Sequence, residues 1–107
     1  LLQLHQATNA LPVIDHALSL TNLPGLHLSR AMALLELADY PGASQEYATL
    51  AEAEVDKYAY HWGLALVAVH NQNTNDALDH LEACLANCPP GSTRWQEARR
   101  RLNTLQP

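Results

Sequence analysis

The sequence predicts an all-α fold, an α-solenoid of antiparallel helix hairpins with six to seven helices in a single domain. Three observations carry the prediction. Ala and Leu recur throughout, whereas there are four Gly, no Phe and few β-branched residues, a composition that favours helix over strand. Apolar residues fall at helical spacing along almost all 107 positions, and Pro, Gly and Asn punctuate the breaks. The same residue types then return at intervals of 33 or 34 positions.

Residues 1–7 read as the last turns of a first helix. Pro12 fits the opening turn of a second, running to about Asn22, because proline's missing N–H has no helical partner there. Leu23-Pro24-Gly25 stops it, and a third helix spans roughly Leu26 to Ala38. Asp39-Tyr40-Pro41-Gly42 is a turn opening the fourth, about 42–56, which runs close to the fifth, about 57–71. The polar turn Asn71-Gln72-Asn73-Thr74-Asn75 follows, with Asn73 or Thr74 able to accept from the open N–H groups of the sixth helix. Cys88-Pro89-Pro90-Gly91 ends that helix. Ser92 or Thr93 caps a seventh, Arg94 to Leu105, with Thr93 and Gln96 at capping-box spacing.

Columns of residues keep the period. Ala43 and Ala77 lie 34 apart and Ala10 lies 33 before Ala43; Ile14, Tyr47 and Leu81 follow by four, and Ala17, Leu50 and Cys84 by seven. The helices before them align His27, His61 and Trp95, then Ala31, Ala65 and Arg99, then Leu34, Ala68 and Leu102. Paired helices at this period resemble the tetratricopeptide repeat. The best match is residues 58–91, with Leu64 and Ala65 in helix A, Ala77, Leu81 and Cys84 in helix B, and Pro89 after it. The repeat at 24–57 keeps Ala31, Ala43, Tyr47 and Leu50, but has Arg30 where Leu is usual and Val55 in place of the closing proline. Residues 1–23 form a partial first repeat, and 92–107 a partial repeat or capping helix, with Arg99 where a small residue is expected. The resemblance implies a right-handed superhelix with a concave groove that holds a peptide or helix.

Composition and motifs narrow the function. No apolar run approaches the roughly 20 residues of a membrane span, so no membrane insertion is expected. Leu1-Leu2-Gln3-Leu4 has neither Met nor a basic flank, which reads as no signal peptide and as a piece excised from a longer protein. Residues 1–93 hold ten acidic side chains against Arg30 and Lys57, while Arg94, Arg99, Arg100 and Arg101 follow with only Glu97. That acidic body argues against nucleic-acid binding. No phosphate-binding loop, nucleophile elbow or zinc-protease motif occurs, and the pairs Glu52/Glu54 and Asp76/Asp79 read as solvated helix faces, so no enzyme is expected. His80, Cys84 and Cys88 form a stripe spaced by four, the spacing of a metal site. Cys84 nevertheless occupies a packing column and Cys88 a helix end, so no metal, cofactor or disulfide is expected. His27 and His61 read as structural, packed at the hairpin interface with one nitrogen hydrogen-bonded.

Trp62-Gly63-Leu64-Ala65-Leu66-Val67-Ala68-Val69 is apolar all round its helix, so both of its sides need covering. His61, Leu64, Ala65 and Ala68 face the hairpin, which leaves Trp62, Leu66 and Val69, with His70 beside them, for something else. By the resemblance, this is the groove face. Leu28, Met32 and Leu35 hold the matching positions one repeat earlier, and Gln96, Arg100 and Asn103 one repeat later. The expected function is a non-enzymatic module that binds an apolar peptide or amphipathic helix, with Trp62 as its anchor. On the two full repeats the matching faces show Leu28, Met32, Trp62 and Leu66 rather than the Lys, Arg and Asn that grip a C-terminal carboxylate in one subgroup of the family, so that activity is not expected. The alternative is a structural spacer or self-association domain, in which a second copy fills the groove as a homodimer.

Overall fold

The computed structural model describes residues 2–50 and 54–106, and among these it holds six α-helices and no strand. They are α1 (Leu2–Leu20), α2 (Pro24–Glu36), α3 (Tyr40–Ala48), α4 (Lys57–His70), α5 (Thr74–Ala86) and α6 (Thr93–Leu105). The chain divides into two compact units, Leu1–Val55 and Asp56–Pro107, each carrying three helices. In the first, α2 packs against both α1 and α3; in the second, α5 packs against both α4 and α6.

Each core is built from small residues beside one or two bulky ones. In the first unit Ala31 and Ala43 are fully buried, with Leu28, Leu34 and Tyr47. In the second, Ala65, Ala77 and Ala98 are buried with Leu81, Cys84 and Leu102. An alanine at a crossing lets two helix backbones approach, and the large side chain beside it fills the remaining space. None of the described helices is long and apolar enough to cross a membrane.

The 34-residue period extends to single bonds. Helix α2 ends with Ala38 in the left-handed region at φ 63°, and α4 ends with Gln72 at φ 61°. Asp39 N–H reaches back to the Leu34 carbonyl at 2.8 Å, and Asn73 N–H reaches the Ala68 carbonyl at 2.8 Å. These are Schellman-type closures, which satisfy carbonyls that the helix end leaves open. The same two residues then cap the next helices: Asp39 accepts from Gly42 N–H at 3.0 Å, and Asn73 from Asp76 N–H at 3.3 Å. A Cβ at Gly42 would stand 2.6 Å from an Asp39 carboxylate oxygen, so a larger residue there would push the capping side chain aside.

Three local expectations are corrected, and one is met. Pro12 lies inside a continuous α1, so the first two expected helices are one; the total of six stays within the expected six to seven. An interior proline costs roughly 3 kcal/mol, which the packing of α1 against α2 offsets. Helix α3 stops at Ala48 rather than near 56, where the Thr49 hydroxyl donates to the Glu46 carbonyl at 2.8 Å. Residues 51–53, Glu52 among them, lie outside the described residues. Of the two expected caps it is Ser92 that caps α6, accepting from Trp95 N–H at 3.2 Å. No capping box pairs Thr93 with Gln96, whose side-chain amide instead donates to the Gly91 carbonyl at 3.1 Å.

Candidate partner-binding clefts

The two histidines of the shared column each cross to the second helix of their hairpin, at positions that are themselves 34 apart. His27 Nδ1 lies 2.8 Å from Glu46 Oε2, and His61 Nδ1 lies 3.0 Å from His80 Nδ1. His27 uses its second nitrogen too, at 2.5 Å from Asn22 Oδ1, where one bonded nitrogen was expected. Arg30, the residue out of place in the repeat pattern, joins the same network. Its Nη1 donates to Glu46 at 3.0 Å and its Nε to Asp15 at 2.9 Å, tying α1, α2 and α3 together. The hydrogen bond to Asp15, with the charges of Asp15 and Glu46, raises the Arg30 pKa against the opposing effect of burial.

The stripe at His80, Cys84 and Cys88 divides among three partners. His80 meets His61, the Cys84 thiol lies 3.5 Å from the Tyr58 carbonyl, and the Cys88 thiol lies 3.3 Å from the Cys84 carbonyl. Both cysteines are free thiols, and no group of three His, Cys, Asp or Glu among the described residues is placed to hold a metal. Burial, aided by the neighbouring Cys88, pushes the Cys84 thiol up to about 12. Tyr58 is likewise pushed up to about 12, first by burial, and its hydroxyl donates to the Arg94 carbonyl at 2.8 Å.

The residues expected to face a partner spread across both units. Leu28 is buried at 8% exposure and belongs to the core of its unit, whereas Met32, one turn on, is 46% exposed. Leu35 is half-buried. Met32 lies in a cleft of about 350 Å³ between α1 and α2, walled by Ala10, Ile14, Leu26 and Ala33, with Ser29 and Glu36 as its polar members. In the second unit Trp62, Leu66 and Val69 are half-buried on α4, and His70, Gln96 and Arg100 are exposed. Trp62 and Arg100 come together in a cleft of about 270 Å³, completed by Glu97, Arg101 and Thr104. The Trp62 ring stacks on Tyr58 with centroids 6.0 Å apart, and the Arg101 guanidinium lies 5.7 Å from its centre.

Sequence reasoning missed Arg101 as a neighbour of Trp62, and it missed the α1 wall around Met32. The first had a faint signal, an arginine beside the expected groove position. The second was hidden by the assumption that a helix starts at Pro12. A wider, more polar depression of about 530 Å³, lined by Asn22, Pro24, His27, Glu46, Thr49, Leu50 and Glu54, was also not foreseen. Comparison of the chain with protein-family models, with curated proteins and with solved structures finds no match.

Proposed function

We propose that this chain is a non-enzymatic protein–protein interaction module of tetratricopeptide type that binds an apolar peptide or amphipathic helix. The observation that carries the reading is Met32, a large flexible apolar side chain left 46% exposed in an apolar cleft. Methionine adapts its shape to whatever packs on it, and such surfaces serve partner recognition. The half-buried Leu35, Trp62, Leu66 and Val69 on α2 and α4 extend the reading.

Met32 is also the cleanest place to test it, since Trp62 packs against the core clusters of its unit and its removal disturbs folding as well as binding. Selection from a displayed peptide library on the intact chain is expected to enrich sequences with apolar residues at helical spacing. A Met32→Glu variant of unchanged helicity is expected to bind them at least about tenfold more weakly. Enrichment of nothing, or equal binding by the variant, contradicts the reading.

A second reading, self-association, is favoured by α1. Val13 and Leu20 are 70% and 75% exposed and lie seven positions apart, on one face of the helix. Sedimentation over a range of concentrations separates the two readings, because a self-filled face gives a dimer that dissociates on dilution.

A further inference from the structure

Two of the chain's five arginines are neutralised within their own unit: Arg30 by Asp15 and Glu46, and Arg94 by Asp56. Arg99, Arg100 and Arg101 are exposed on α6 and make no ion pair with a described carboxylate. Glu97 stands four positions before Arg101, a spacing that favours pairing on a helix, yet no ion pair forms. The Arg101 guanidinium is turned over Trp62 instead. Two of these guanidiniums, Arg100 and Arg101, therefore line a cleft whose wall is a half-buried indole, in a chain of formal charge −5.

We propose that this cleft binds an acidic peptide segment of a partner protein, taking a Glu or Asp carboxylate on Arg100 and Arg101 and an adjacent apolar side chain on Trp62. The inference rests on the interaction-module reading and names the chemistry of its ligand. A guanidinium donates two parallel N–H bonds to a carboxylate, and the indole supplies the apolar contact beside it. Glu97 places one negative charge within the cleft, and Arg100 and Arg101 together outweigh it. A volume of about 270 Å³ holds one or two side chains, which suits a linear segment rather than the folded face of a second copy. Nucleic acid is a poorer fit, because tight duplex binding needs many phosphate contacts and the cleft offers two guanidiniums.

Fluorescence of Trp62 in an intact Trp95→Phe chain reads the site directly. The probes are a synthetic Glu- and Leu-rich peptide, its analogue with Gln for every Glu, and a DNA duplex. The acidic peptide is expected to bind at least about tenfold more tightly than the Gln analogue. That advantage is expected to vanish in Arg100→Gln and Arg101→Gln variants and to shrink with added salt. Equal binding of the two peptides overturns the acidic preference while leaving the interaction-module reading standing; binding of neither overturns both. Duplex binding as tight as the acidic peptide's, or a dimer that Arg100→Gln dissociates, overturns the proposal in favour of polyanion binding or of a second copy.

Discussion

Cys84 shows how far a residue's neighbourhood sets its chemistry. It is fully buried, with its thiol on the Tyr58 carbonyl, and its pKa of about 12 compares with an ordinary 9.0. Tyr58 moves from 10.0 to about 12 for the same first cause, burial. Both groups hold their protons more tightly folded than unfolded. Between their ordinary and raised values the folded chain therefore binds more protons, and stability falls as pH rises. The expected outcome is a denaturation midpoint that drops progressively from about pH 9 towards 12, with Cys84 resisting alkylation until the chain unfolds while Cys88 reacts before it. A midpoint flat over that range, or simultaneous labelling of both thiols, contradicts this account. The histidine column at 27 and 61 was legible from the repeat, whereas the partners were not. Whether helix B offers Glu46 or His80 emerges only when the hairpin closes.

At the scale of elements, the chain states its period more clearly than its ends. Ala31 and Ala65, then Ala43 and Ala77, announce where helices cross, and they are buried to within 1%. The turns after α2 and α4 follow from the same register, down to their left-handed residues. Pro12 misled because a local rule about proline yields to the packing of α1 against α2, and α3 ended early because Thr49 closes it through a side-chain bond that no period reveals. The left-handed residues make a prediction of their own. A non-glycine residue pays about 1 kcal/mol in that region, so Ala38→Gly is expected to stabilise the first unit by up to about 1 kcal/mol in chemical denaturation. The same change at Ala43, a helical position with φ in the ordinary region, is expected to destabilise it by a similar amount or more. Destabilisation by Ala38→Gly would show that the turn is held by something other than its backbone geometry.

For the whole molecule, the arrangement of charge and apolar surface bears on function more than any single motif does. Acidic residues dominate up to residue 93 and arginine dominates α6, while the most exposed large apolar side chains, Val13, Leu20, Leu23 and Met32, all belong to the first unit. The all-α class and its six helices follow from alanine and leucine at helical spacing. Of the expected partner face, Met32, Trp62 and Arg100 line clefts, whereas Leu28 is core, because helix α2 turns that side towards its own unit. Spacing alone cannot divide a helix's apolar residues between its hairpin and its groove when all of them are apolar.

Amide chemical-shift mapping of the full chain, titrated with an amphipathic helical peptide, addresses the interaction reading most directly. Shifts are expected to concentrate on α2 around Met32 and Leu35, and on α4 around Trp62, Leu66 and Val69. A spectrum unchanged by saturating peptide, or changes confined to the solvated face of α5 at Asp79 and Glu82, would contradict it.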